Sequence, residues 1–258
     1  MLLAIDSGNT NIVFAVFADD GTVRGEWRGA TSAERTADEY GVWLGELLRM
    51  ENIDRTGVTE AIIASVVPAT VFNLKTLCRK YFGCDPLIVG DPGVKLGIGI
   101  LVDRPEQVGA DRMVNTIAAG ERYGGPLIVV DFGTATTFDV VDGDGNYRGG
   151  IIAPGINLSL EALHMAAAQL PRVAIGRPEQ VIGRDTVSAM QSGIFWGYVA
   201  MIDGLVARII AEFGSKMVVV ATGGLAPLFV DVTDSIRVVD RDLTLRGLLS
   251  IHRRNRKR

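Results

Sequence analysis

The sequence predicts an α/β protein built as two copies of one plan, each copy a mixed sheet flanked by helices. Two observations carry that prediction. The segment beginning at Leu2, LLAIDSGNTNIVFAVFADDGTVRGEW, and the segment beginning at Leu127, LIVVDFGTATTFDVVDGDGNYRGGII, read alike: apolar strand, small-residue turn, strand, Asp-Gly hairpin, strand. Asp6 matches Asp131, Gly8 matches Gly133, Asp20-Gly21 matches Asp144-Gly145, and Arg24 matches Arg148 within one residue. Each copy is then followed by an apolar run that ends in small residues and a proline, AIIASVVPA at 61–69 and VVVATGGLAP at 218–227. An unbroken apolar run leading into a proline-initiated helix is the pattern of a buried parallel strand.

Helical patterns fill the intervals. Tyr40, Trp43, Leu44, Leu47 and Leu48 recur at helical spacing within Ser32–Met50, after a Thr/Ser cap. A second helix is expected over Pro105–Tyr123, with Pro105 in its first turn, and a long one over Asp185–Phe213, softened by Gly193, Gly197 and Gly204. The halves join near Asn115–Ala119, so the expected domains are 1–116 and 117–258, packed on each other without a low-complexity linker and able to hinge.

Composition narrows the class. Of 258 residues 48% are hydrophobic and 22% charged, which excludes wholesale disorder. Mean hydropathy is +0.26, yet no stretch reads as the roughly 20 apolar residues of a membrane span. The opening MLLAIDSGNT lacks the basic start of a signal peptide. A cytoplasmic protein without membrane attachment is expected. The net charge of −4 includes five positive charges in the last six residues, RRNRKR, and leaves −9 on the remainder. That balance argues against a nucleic-acid partner, and the tail reads as a solvated, frayed terminus. Cys78 and Cys84 fit neither a zinc site nor a redox pair, and two histidines, His164 and His252, are too few for a histidine-rich metal site.

Four constellations are able to carry chemistry. In Asp6-Ser7-Gly8-Asn9-Thr10, the turn after an apolar strand presents backbone N–H groups and short polar side chains to an anion, with Asp6 placed to hold hydrated Mg²⁺. In Asp131-Phe132-Gly133-Thr134-Ala135-Thr136-Thr137 the hydroxyls are dense. Either loop alone is equally an ordinary hairpin; two in matching positions point to phosphate-facing hairpins that close on a nucleotide from opposite sides of a cleft. Gly223-Gly224 lets a flat base or ribose lie against the backbone, or simply turns a strand into a helix. In Gly109-Ala110-Asp111-Arg112 the carboxylate of Asp111 is placed to accept a hydroxyl proton and Arg112 to balance phosphoryl charge, although an acid in a first helical turn is ordinarily a dipole partner. Walker-type and dinucleotide-binding glycine patterns are absent, and no lysine lies near the first loop, so anion binding there falls to backbone, hydroxyls and metal.

With these motifs in the order IDSGNTNIVFAVF, PEQVGADR, VVDFGTATTFD, GGIIAPG and VVATGGLAP, the whole chain resembles the type III pantothenate kinases of the acetate and sugar kinase/Hsp70/actin superfamily. The resemblance implies two duplicated ribonuclease H-like domains with a nucleotide cleft between them. It implies an ATP-dependent kinase for the 4′-hydroxyl of pantothenate, using Mg²⁺ and a monovalent cation, K⁺ or NH₄⁺, and working as a homodimer with the helix from Asp185 as interface. Residue by residue, it makes Asp111 the general base and lines the pantothenate site with Gly109, Ala110, Arg112, Val102 and Thr186. It gives the nucleotide to Asp6, Ser7, Gly8, Asn9, Thr10, Asn11, Ile12, Val13, Thr134, Gly223 and Gly224, the divalent ion to Asp6 and the monovalent ion to Asp131. Two positions depart from the pattern: Val102 stands where many relatives carry an aromatic residue, and Val13 where some carry a lysine. A sugar- or acetate-type kinase, and a nucleotide-binding regulator whose basic tail touches DNA, remain the alternatives.

Overall fold

The structure is a computed structural model that describes residues 1–166 and 170–256. It divides into two compact units: residues 1–98 and 103–118 with the C-terminal segment from Leu243, and residues 99–102 with 119–242. Relative to domains at 1–116 and 117–258, residues 99–102 and the last helix are grouped with the opposite unit.

The first unit opens with β1 (Leu2–Ser7), β2 (Asn11–Phe17) and β3 (Val23–Ala30), a meander of antiparallel pairs. Helix α1 (Ala37–Met50) follows, then β4 (Glu60–Ser65), α2 (Pro68–Phe82) and the short β5 (Leu87–Ile88). The sheet order is β3-β2-β1-β4-β5, with β4 parallel to β1 and β5 parallel to β4. Strand β1 is apolar on both faces because both are covered. Ile5, Phe14 and Trp27 stand opposite one another on the face packed by Tyr40, Leu44 and Leu48 of α1 and Leu74 and Leu77 of α2.

Helix α1 starts later than its periodicity predicts. The cap is Thr36, whose hydroxyl accepts from the Glu39 N–H while the Glu39 carboxylate accepts from the Thr36 N–H, so Ser32–Arg35 stay outside the helix. The expected helix Pro105–Tyr123 is also two pieces. A single 3₁₀ turn covers Pro105–Gln107, the chain is extended at Val108, and α3 begins afresh at Ala110, running to Tyr123. Asp111 therefore sits in the first turn of its helix.

The second unit repeats the plan with β6 (Leu127–Phe132), β7 (Ala135–Val141) and β8 (Tyr147–Pro154), then α4 (Ile156–Ala166), α5 (Thr186–Phe213), β9 (Val218–Thr222), α6 (Ala226–Phe229) and β10 (Val238–Val239). Its order, β10-β9-β6-β7-β8, is that of the first sheet with the same strand directions. Residues 99–102 join this unit because Tyr147 and the segment Gly99–Leu101 exchange backbone hydrogen bonds of 2.9 and 2.8 Å.

Asp185 caps α5 through Ser188, and Gly214 closes it in the left-handed region, φ 79°. Phe195, Tyr198, Val199, Ile202, Val206 and Ile209 form its core-facing stripe against the second sheet. By length and composition this helix is apolar enough to cross a membrane, with a mean hydropathy of 1.6 over its most apolar stretch. The expectation that no segment reaches that length is corrected accordingly: Gly193, Gly197 and Gly204 interrupt the apolar run in the sequence without breaking the helix.

The last helix, α7 (Leu243–Asn255), packs on β1 and β4, with Leu248 and Ile251 buried. The expectation of a frayed basic tail fails as far as Arg256. Arg253 donates to the Asp20 carbonyl (2.9 Å), Arg254 to the Leu96 carbonyl, and Arg256 lies 3.3 Å from Glu60. The last two residues, 257 and 258, lie outside the described set.

Candidate functional site

In the first unit the turn between β1 and β2 is made by Gly8, Asn9 and Thr10, and its shape is fixed by backbone bonds. The Gly8 N–H donates to Asn11 O (3.0 Å). Thr31, just beyond β3, clamps the turn from the side: its N–H donates to Thr10 O (3.0 Å) and its hydroxyl to Gly8 O (2.7 Å). Asn9, Thr10 and Asn11 are exposed at the tip. Strand alternation sends neighbouring residues elsewhere. The Ser7 hydroxyl is buried against Thr70 of α2 at 3.1 Å, and Ile12 and Val13 are buried in the sheet. The side chains of those three positions are therefore not presented at the tip, and the backbone of Ile12 and Val13 runs between two paired strands. Thr31 has no signature in sequence, because its role comes from the position of the strand end.

Asp6 and Asp111 are brought together. Asp6 is the penultimate residue of β1, half-buried, with Ser7 between it and the turn. Burial and then the charge of Asp111 push its pKa up to about 7, and the Arg28 guanidinium pulls the other way. Burial also raises Asp111, against the N–H of Arg112, which donates to its Oδ1 at 2.7 Å, and the Arg112 charge. Gly109 leaves the room this needs, since a Cβ there would fall 2.6 Å from Asp111 Oδ1. Ala110 is buried and Arg112 half-buried. The Arg28 charge acting on Asp6 comes from a residue that sequence distance conceals and strand register supplies.

The second unit carries its own site fragment. The Gly133 N–H donates to Ala135 O (3.0 Å) as Gly8 does to Asn11 O, and the Gly155 N–H donates to Thr134 O (3.2 Å) where Thr31 serves the first turn. The dense hydroxyls separate into three kinds. Thr134 is exposed at the tip, Thr136 is buried and hydrogen-bonded to the Tyr198 hydroxyl, and Thr137 donates to Asp139 (3.1 Å). Asp131 pairs with Thr222 at the end of β9, immediately before Gly223. Gly223 has φ 90°, and a Cβ there would fall 2.6 Å from Phe132 O and 2.7 Å from Asp131 Oδ1. Gly224 is exposed beside it. Val102 lies next to Gly149 of β8, and Thr186 is exposed at the start of α5.

The donor chemistry suits two cations differently. Among the described residues no three His, Cys, Asp or Glu side chains gather as a cage. A divalent ion at Asp6 would therefore take its other ligands from phosphate oxygens and water, as Mg²⁺ commonly does. Burial and the Asp111 charge, which raise the Asp6 pKa, would be offset by the charge of such an ion. Beside Gly223, a carboxylate oxygen and a main-chain carbonyl form an all-oxygen pair suited to a hard cation.

A family model described as type III pantothenate kinase matches residues 2–208. The chain belongs to the type III pantothenate kinase family. Similar to it are the type III pantothenate kinase of Paramagnetospirillum magneticum, 73% identical over 255 residues covering 99% of this chain and 98% of that one, and that of Rhodospirillum rubrum, 68% identical and covering 99% of both. Among solved structures, a Baf family transcriptional activator from Campylobacter jejuni aligns with TM-score 0.59 at 18% identity, over 98% of each chain. A 2-dehydro-3-deoxygalactonokinase from Sinorhizobium meliloti aligns with TM-score 0.60 at 16% identity, over 98% of this chain and 96% of that one. These two likenesses concern the fold alone. The mixed α/β architecture with a duplicated five-stranded sheet is the one that the motifs predict.

Proposed function

We infer that this chain phosphorylates pantothenate at its 4′-hydroxyl with ATP, the first step of coenzyme A biosynthesis. The observation that carries the reading beyond family membership is the pairing of two half-buried carboxylates, Asp6 and Asp111, near the end of β1 beside an exposed polar turn. The two acids have separate tasks. Asp111 takes the hydroxyl proton as that oxygen attacks the γ-phosphorus in line, and its raised pKa makes it a better base near neutrality than an exposed aspartate. Asp6 holds the divalent ion, and Gly8, Asn9 and Thr10 meet the terminal phosphates with backbone N–H and side-chain donors. Thr134, Gly223 and Gly224 serve the nucleotide in the second unit. The carboxylate of Asp131 holds the monovalent cation, K⁺ or NH₄⁺. Bound there, the two cations supply electrostatic stabilisation of charge on the transferring phosphoryl group. Gly109, Ala110, Arg112, Val102 and Thr186 line the pantothenate site.

We assign the protein to the cytoplasm as a homodimer, with duplicated domains near 1–116 and 117–258. Support for self-association comes from the second unit, where Leu158, Met165, Val181, Ile182 and Val187 are exposed on and around α4 and the start of α5. An ADP-release assay with pantothenate, a hexose and acetate as separate acceptors tests the substrate. Turnover with pantothenate alone is expected; preference for the sugar or the carboxylate would overturn the assignment while leaving the fold intact.

A further inference from the structure

Strand register places an arginine where the sequence shows an apolar position. Asp6 of β1 stands opposite Val13 of β2, and Val13 stands opposite Arg28 of β3. Directly opposed residues on adjacent strands share a face. Asp6, Val13 and Arg28 therefore form one row, about 10 Å across two strand spacings, and the next row, Ile5, Phe14 and Trp27, turns to the hydrophobic core instead. Val13, between the two charged positions of the row, is short and apolar and carries no charge to compete with either.

Other cations of this segment are engaged elsewhere. The first lysine in the chain is Lys75. Arg24 acts on Asp20, Arg35 lies 4.6 Å from the Tyr40 ring centre and 5.1 Å from that of Trp43, and Arg49 donates to Glu46. Arg28 is exposed, and no described residue holds it in a hydrogen bond or salt bridge. Glu26, two residues earlier on the same face, is exposed and likewise not bonded to it. Three residues beyond Arg28, Thr31 bonds the turn directly, so β3 carries Arg28 at a fixed strand register from that turn.

We propose that Arg28 is a phosphate-binding residue, reaching along its row to the terminal phosphate of the nucleotide held at the Gly8–Thr10 turn. A guanidinium presents forked donors to phosphate oxygens, and charge-assisted bonds of this kind are the strong ones. This assignment deepens the proposed kinase reading and rests on ATP being the donor. It requires discrimination by phosphate number: Arg28 acts on ATP and not on AMP.

The experiment compares Arg28→Met and Arg28→Lys with the parent enzyme, using calorimetric binding of a non-hydrolysable ATP analogue and of AMP, with KM for pantothenate and melting temperature alongside. Arg28→Met is expected to weaken the ATP analogue about 10- to 100-fold, with Arg28→Lys in between. AMP affinity, pantothenate KM and melting temperature stay within about twofold or a degree or two of the parent. Equal loss of analogue and AMP, a fall in melting temperature that accounts for the loss, or no change in analogue affinity would each overturn the proposal. Failure of the kinase reading shows separately, as absence of pantothenate phosphorylation by the parent enzyme.

Discussion

Asp6 concentrates the chemistry of the first turn. Its pKa, raised to about 7 by burial and by the neighbouring Asp111 charge, sets a sign for stability. Between about pH 4 and 7 the folded chain keeps a proton that the unfolded chain, with Asp6 near its ordinary 3.8, has released. Stability without divalent ions therefore falls as pH rises through that window and levels above it. The raised pKa of Asp111 adds in the same direction. Melting temperature measured against pH in chelator should decline across the window, and Asp6→Asn should flatten the decline while abolishing Mg²⁺-dependent turnover. A parent profile that is level between pH 4 and 7 contradicts this account of the pair. The sequence marks Asp6, Asp111, Asp131 and Gly223 because strand ends and glycine turns are written locally. It hides Arg28 and Thr31, whose roles depend on which residues a third strand brings alongside the first.

At the scale of elements, the hairpins and the turn after β9 are legible because each rests on a local rule: apolar strand, glycine, polar tip. Helix starts are less so. Thr36 wins over Ser32 as cap because Glu39 completes the capping box, and the Pro105 turn stops short because the chain is extended at Val108 before α3 begins. Two glycines give tests. Gly223 combines φ 90° with two oxygens within 2.7 Å of any Cβ, so Gly223→Ala should reduce K⁺-dependent activation more than it lowers the melting temperature. Gly247 of α7 faces the Val114 carbonyl with no room for a methyl group, and Gly247→Ala should cost about 1–3 kcal/mol in chemical denaturation without altering nucleotide KM in the protein that remains folded. An equal effect of both variants on cation activation would contradict the separate roles given to them.

For the whole molecule, duplication explains why one chain offers two polar turns in matching positions, the first closed by Gly8 N–H to Asn11 O and clamped by Thr31, the second one residue tighter, closed by Gly133 N–H to Ala135 O and clamped by Gly155. The return of α7 to the first unit was not legible, because a run of five positive charges in six residues reads as solvated until Asp20, Leu96 and Glu60 are found beside it. Each of those surface contacts contributes at most about 1 kcal/mol, and the buried Leu243, Leu248 and Ile251 hold the helix. Light scattering should give twice the chain mass, and Ile182→Asp with Val187→Asp should shift it to the monomer; a parent protein that is monomeric at assay concentration contradicts the assignment of a homodimer.

Transfer of labelled γ-phosphate from ATP to pantothenate, by the parent enzyme and by Asp111→Asn in the presence of Mg²⁺ and K⁺, tests the central claim most directly. The parent should yield labelled 4′-phosphopantothenate, and the variant should bind ATP normally while turning over about 10²–10⁴-fold more slowly. Equal labelling by the two proteins, or none by the parent, would contradict it.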